Sequence, residues 1–380
     1  MTDLVRQEVA KTAKIWVVKV GTRVLTDADG RLDETRIARL AEDIAVVRRS
    51  GHKVVLVSSG AVGCGMARLG LVERPTNLAE LQAVAAVGQS LLIETYNRTF
   101  QKFGISAAQI LLTAEDLEHR ARYLNARNTI LTLLERYDAV PIINENDTVS
   151  VDELRTTFGD NDRLAAIVVN LIRAQLLVLL SDVDGLYDRD PRDPEAELIP
   201  LVRRLDDDIM SLAFDRDTGL SRGGMASKLN AARLATTAGE NTIIAPGRTE
   251  GVLQKILNGD VVGTLFLAQG GLVTSRKRWF GLSVQPRGHI VVDAGARQAI
   301  EKGGKSLLPI GIIDVVGHFS KGDVVAVRDA DGVEFARGLT NYSAEEIRRV
   351  KGLRTDQIAN ILPYCPYEEV IHRDNLLVTR

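Results

Sequence analysis

The chain has few of the residues that mark several large classes of protein. Its two cysteines, Cys64 and Cys365, stand 301 positions apart. That excludes a CxxC metal or redox pair and points to a reduced, cytoplasmic protein. The five histidines (His52, His119, His289, His318 and His372) are scattered, with no pair at metal-ligand spacing, so no structural zinc site is expected. Aromatic residues make up 4%, too few for a row of stacking platforms along single-stranded nucleic acid. A net charge of −2 argues against a chain that coats nucleic acid or an anionic membrane. The most apolar stretch, Leu164 to Leu180, is interrupted by Asn170, Arg173 and Gln175, too polar for a membrane-spanning helix. Charged residues precede the first apolar run, unlike a secretory signal.

What is present is ordinary for a folded protein: 380 residues, 45% hydrophobic and 26% charged. That length exceeds what one core usually organises, so two domains are expected. Up to about Gln269, short Val/Ile/Leu-rich runs alternate with longer helical patterns. The expected strands are 15–20, 53–59, 107–113, 139–144, 176–182, 241–245 and 261–268. They are apolar on successive residues, as strands covered on both faces are. Asp33 and Gly51 bracket one helical pattern as N-cap and C-terminal glycine; two more run over 77–103 and 122–137. The expected fold class is therefore α/β, a mostly parallel sheet sandwiched between helices.

Beyond Gly270 the texture changes. Glycines and turn signals become frequent and the strands short (289–292, 323–328, 333–338). Residues 271–380 hold 16 Lys and Arg against 13 Asp and Glu, a net +3, which leaves −5 for 1–270. The reading is an α/β domain over 1–270, a linker over 271–285 and a small β-rich domain over 286–380.

In open α/β sheets, ligands bind beyond the carboxyl ends of the strands. Lys19 closes the first strand, where a lysine among apolar residues is costly unless it meets an anion or snorkels out at the sheet end. Ser58-Ser59-Gly60-Ala61-Val62-Gly63-Cys64-Gly65 follows the second strand. Its glycines suit either an anion at a helix N-terminus or simply a tight turn. A dinucleotide loop is disfavoured, because position 68 is Arg68 and not the third glycine. Arg222-Gly223-Gly224-Met225-Ala226-Ser227-Lys228 opens a later helix. A Gly-Gly turn with Ser and Lys in the first helical turn suits polyphosphate, the alternative being a solvated surface lysine. Asp160-Asn161-Asp162 precedes an expected helix over 164–171, where Asp and Asn also serve as N-caps. Asn144 to Asp147 and Ser181-Asp182 sit at strand ends too. Gly304-Lys305-Ser306 imitates the end of a Walker A loop, but position 299 is Ala299, so it is read as a turn.

Together, Val18-Lys19-Val20-Gly21-Thr22, Ser59-Gly60-Ala61, Asn144-Glu145-Asn146-Asp147, Gly159-Asp160-Asn161-Asp162, Ser181-Asp182-Val183-Asp184-Gly185 and Gly223-Gly224-Met225-Ala226-Ser227-Lys228 resemble the amino acid kinase family, narrowing to its glutamate-5-kinase branch. The tail resembles a PUA domain, through Val292-Asp293-Ala294-Gly295-Ala296, Ser306 to Ile312 and Phe319 to Asp323. The resemblance implies ATP-dependent phosphorylation of the L-glutamate side-chain carboxylate to L-glutamyl 5-phosphate, the first step of proline biosynthesis. It implies catalytic roles for Lys19, Lys228 and Asp162. ATP would be bound by Lys19, Ser181, Asp182 and the run Arg222, Gly223, Gly224, Met225, Ala226, Ser227 and Lys228. L-Glutamate would be held by Ser59, Gly60, Asn144, Asp147, Asp160 and Asn161. Mg²⁺ would arrive on the ATP, with no metal site of the protein's own. Proline as feedback inhibitor, a glutamyl phosphate reductase as partner and a homo-oligomer are also implied. The chain departs from the family pattern in lacking threonines near Arg222 and Ser227 and in a longer 152–158 stretch. The chemistry agrees with the histidine-poor motifs: a carboxylate already ionised at neutral pH attacks without a general base, and the transferring phosphoryl needs cations. Rival readings are a kinase for N-acetylglutamate or aspartate, an RNA-binding protein acting through the tail, and a nicotinamide-dependent oxidoreductase.

Overall fold

Runs of consecutive apolar residues form the centre of the larger of two compact units, Met1–Gly271 and Leu272–Arg380. The computed structural model describes residues 3–27, 31–149, 161–213, 224–269, 277, 279–354, 357–358, 361–362 and 367–379.

The first unit begins with α1 (Leu4–Thr12), β1 (Ile15–Val20), α2 (Thr22–Leu25), α3 (Glu34–Arg49) and β2 (Lys53–Ser58). Then come α4 (Ala61–Leu69), α5 (Leu78–Gln101), β3 (Ala107–Leu112), α6 (Ala114–Glu118), α7 (Arg120–Glu135) and β4 (Val140–Glu145). It closes with α8 (Asn161–Ile172), β5 (Leu176–Ser181), β6 (Leu201–Val202), α9 (Asp207–Ser211), α10 (Met225–Thr237), β7 (Asn241–Pro246), α11 (Val252–Asn258) and β8 (Thr264–Phe266). Local chemistry sets the helix ends. The Asp33 carboxylate accepts from the amides of Thr35 and Arg36, and Glu34 and the pair Arg48/Arg49 oppose the dipole of α3 at its two ends. Asn77 caps α5 in the same way.

The strand order is β3-β4-β2-β1-β5-β7-β8-β6. From β3 to β7 every pairing is parallel, so the carboxyl ends of β4, β2, β1, β5 and β7 lie along one edge. Lys19 stands opposite Val57 of β2 and Leu179 of β5. Trp16, Val18, Leu56, Val178 and Ile243 contribute to the core against the helices.

Three expectations are corrected. The third strand is not covered on both faces: Gln109 is exposed and only Leu112 is buried, because β3 is the outermost strand. The expected strand over 261–268 shrinks to Thr264–Phe266, since Gly263 takes φ +63 and a Cβ there would lie 2.0 Å from the Ile244 carbonyl oxygen. It pairs antiparallel with β7. The helix expected over 164–171 starts at Asn161, which puts Asn161 and Asp162 in its first turn.

The second unit contains β9 (Gly288–Val292), α12 (Ala294–Glu301), β10 (Ile312–Gly317), β11 (Val324–Arg328), β12 (Glu334–Leu339), α13 (Ala344–Val350) and β13 (Leu376–Val378). Its sheet order is β10-β9-β11-β12-β13, antiparallel except between β9 and β11. Sequence patterning finds β9, β11 and β12 but not β10 or β13. Ile290, Val292, Val327, Phe335 and Ile347 fill its core. Lys305 and Ser306 of the Walker-like tripeptide lead into a single 3₁₀ turn, Pro309–Gly311, and not an α-helix; they line a cavity of about 690 Å³ with Gly295, Ile310, His372 and Arg373. Among the described residues, no helix is long and apolar enough to cross a membrane.

Candidate active site

The site is built where β1 ends against α8 and α10. Lys19 does not snorkel: it is 6% exposed, and its Nζ lies 2.6 Å from Oδ1 of Asp162. Lys228 is 5% exposed rather than solvated, with its Nζ 3.3 Å from Oδ2 of the same carboxylate. Asp162, fully buried, therefore bridges two ammonium groups brought in by a strand and a second helix. Burial works to raise its pKa, but the two lysines outweigh it and hold the carboxyl below its usual range. The carboxylate and the two ammonium groups thus form a buried charge cluster at the carboxyl end of β1. Each buried charge carries a desolvation penalty of several kcal/mol, which makes the cluster a candidate site for an anion.

The turn into α10 adds to this. Gly224 is its N-cap and accepts from Lys228 Nζ at 3.4 Å; Met225, Ala226 and Ser227, half-buried, form the first turn. Backbone amides at such a start favour phosphate oxygens. At the end of β5, Ser181 is buried and its hydroxyl donates to Oδ1 of Asp182 at 3.2 Å. Oδ2 of Asp182 accepts from Arg23 at 3.1 Å. Burial pushes the Asp182 carboxyl up, but the Arg23 guanidinium prevails and holds it below its usual range.

On the other side of β1, a polar network joins β2, β4, α5 and α8. Asn161 Nδ2 donates within reach of the Ser58 carbonyl (2.6 Å), Ser59 Oγ (2.9 Å) and Asn144 Oδ1 (3.0 Å). Asn144 in turn donates to Gln89 Oε1 at 2.7 Å. Ser58 Oγ shares a buried 3.0 Å hydrogen bond with Tyr96. Gly60 takes φ +106 at the N-cap of α4, a conformation that favours glycine. Asp147 lies in the turn after β4, half-buried. Gly65 has a packing role: a Cβ there would sit 1.9 Å from the Val84 carbonyl oxygen, so its bare backbone lets α4 press against α5.

Thus Lys19, Asp162 and Lys228 meet at one point; Ser59, Asn144 and Asn161 meet at a second; Ser181 and Asp182 form a third group. Asp160, Arg222 and Gly223, and the 152–158 stretch, lie outside the described residues. Sequence reasoning missed Gln89, Tyr96 and Arg23. Gln89 carries no spacing signal at all, whereas Arg23 stands four residues after Lys19 and was readable as a second cation.

The model of the amino acid kinase family matches residues 14–246. The chain belongs to the amino acid kinase family. A PUA domain matches residues 288–362. The glutamate 5-kinase of Rhodopirellula baltica is 47% identical over 374 residues, covering 98% of this chain and 96% of the relative. That of Thioalkalivibrio sulfidiphilus is 48% identical over 374 residues (98% and 99% covered). That of Methylococcus capsulatus is 49% identical over 364 residues (96% of each). As a member of this family the chain has an α/β kinase sheet, and the lysine–aspartate–lysine cluster sits at the edge of that sheet.

Proposed function

We propose that the chain transfers the γ-phosphoryl group of ATP to the side-chain carboxylate of L-glutamate, giving L-glutamyl 5-phosphate and ADP, the first step of proline biosynthesis. The observation that carries this reading is one fully buried carboxylate, Asp162, spanned by Lys19 and Lys228. Glutamate 5-kinases similar over nearly the whole chain point to the same acceptor.

The carboxylate oxygen of glutamate attacks phosphorus as the bridging oxygen leaves with ADP, and no proton has to move. Lys19 and Lys228 neutralise the charge spread over the transferring group, and Asp162 keeps both ammonium groups aimed at it. Ser181, Asp182 and the residues from Arg222 to Lys228 hold the nucleotide, whose Mg²⁺ arrives as part of the substrate. Ser59, Gly60, Asn144, Asp147, Asp160 and Asn161 hold glutamate, with Asp147 suited to its α-ammonium. A cytoplasmic location, a homo-oligomer, inhibition by proline and a reductase that consumes the labile acyl phosphate complete the reading.

The test is ATP turnover with glutamate, aspartate, N-acetylglutamate or UMP as acceptor, with hydroxylamine present to trap an acyl phosphate. Hydroxamate formation strongest with glutamate is the expected result. Preference for any other acceptor refutes the substrate assignment.

A further inference from the structure

Helices α4 and α5 approach unusually closely: a Cβ on Gly88 would lie 1.8 Å from the Ala61 carbonyl oxygen, and one on Gly65 as close to Val84. The residue after Gly88 is Gln89, and this contact carries its side chain to the end of β4, where Oε1 accepts from Asn144 Nδ2 at 2.7 Å. The directions of the Gln89, Asn144 and Asn161 amides follow from one unambiguous donor. The backbone N–H of Glu145 donates to Asn144 Oδ1 at 2.9 Å, so the oxygen of Asn144 faces that side. Its NH₂ must then face Gln89, which has to present oxygen. The same Asn144 Oδ1 lies 3.0 Å from Asn161 Nδ2, which also faces the Ser58 carbonyl, an acceptor only. The orientation of Asn161 is thereby settled as well.

We propose that Gln89 is a positioning residue that fixes the amide orientation of Asn144 and, through it, of Asn161, and so governs selection of the amino-acid substrate. The inference rests on reading Asn144 and Asn161 as contacts of that substrate. Gln89 joins the network through Asn144, on the acceptor side of β1, so its effect falls on acceptor binding rather than on phosphoryl transfer. Without an oxygen at position 89, the NH₂ of Asn144 loses its partner, and Asn144 turns or settles into several orientations.

The experiment compares the full-length wild type with Gln89→Leu, Gln89→Glu, Asn144→Ala and the Gln89→Leu/Asn144→Ala double variant, varying acceptor and ATP separately and recording Tm. Loss of one such hydrogen bond raises the glutamate KM of Gln89→Leu about tenfold. KM for ATP and kcat stay close to wild type. Gln89→Glu, which keeps an oxygen toward Asn144, recovers most of the loss. In the Asn144→Ala background, Gln89→Leu adds nothing, because its route is gone. An unchanged glutamate KM overturns the inference, and so do equal rises in both KM values or additive effects in the double variant. Should Gln89→Leu not fold, Gln89→Met carries the same expectation. Wild-type protein that makes no hydroxamate with glutamate refutes the substrate reading instead; the wild-type-to-variant ratio is then read on whichever acceptor the protein uses.

Discussion

Two buried carboxylates, one in each unit, are held in opposite ways. In the second, Asp329 is the buried carboxylate; it accepts from the amides of Asp331 and Val333 and pairs with Arg297, so it closes a turn. In the first, Asp162 lies in the first turn of α8, and its oxygens meet Lys19 and Lys228. The Asp329 charge serves a turn, whereas the Asp162 charge sits between two ammonium groups, where we propose the chemistry takes place.

Four substitutions sharpen or break that contrast. The largest effect is expected at Asp162. Asp162→Ala leaves two buried ammonium groups facing each other and costs about 3–5 kcal/mol, readable by urea unfolding, together with turnover. Full stability in this variant contradicts the bridging role. A pH effect belongs to the same group. The Asp162 pKa is depressed in the folded chain, so its contribution is present above the unfolded carboxylate value of about 4 and disappears as pH falls through the lower folded value. Acid unfolding followed by circular dichroism should show the kinase unit losing stability below pH ~4, with a smaller slope in Asp162→Asn.

Next comes Lys228→Ala, expected to lower kcat by about 10²–10³ with the fold retained. Near-wild-type turnover would remove Lys228 from the mechanism. Asp329→Ala is the counterpart in the PUA unit: it loses a turn and an ion pair, about 1–3 kcal/mol of stability, and leaves kcat unchanged. A fall in kcat there would show that the contrast between the units is drawn in the wrong place. The smallest effect is expected for Arg23→Ala. Its pair with Asp182 is partly exposed and contributes no more than about 1 kcal/mol to stability; a calorimetric Tm shift well beyond that would mean Arg23 holds the sheet edge together.

Much of this was legible in the chain. Apolar runs gave β1, β2, β4, β5 and β7 to within a residue or two, because each is buried along nearly its whole length. Capping residues Asp33 and Asn77 placed two helices. The strand-end motifs led to Lys19, Asp162 and Lys228 through resemblance to a family. What failed had identifiable physical causes. The two-residue β6 is too short to show a period. The exposure of β3 follows from its place at the end of the strand order, which no local pattern records. The glycines of 60–65 suited either an anion turn or a tight turn, and no local pattern showed that the missing side chain of Gly65 makes room for a helix.

Sequence alone determined which segments are strands and helices and which polar residues stand at their ends, since burial period and capping are local properties of the chain. Only the tertiary structure decided which of those ends meet. Placing β1 between β2 and β5 puts Lys19 beside α8, packing α10 against α8 brings Lys228 to the same carboxylate, and the glycine contact of α4 with α5 delivers Gln89 to Asn144. Those meetings depend on strand order and helix packing, which are cooperative properties of the whole unit.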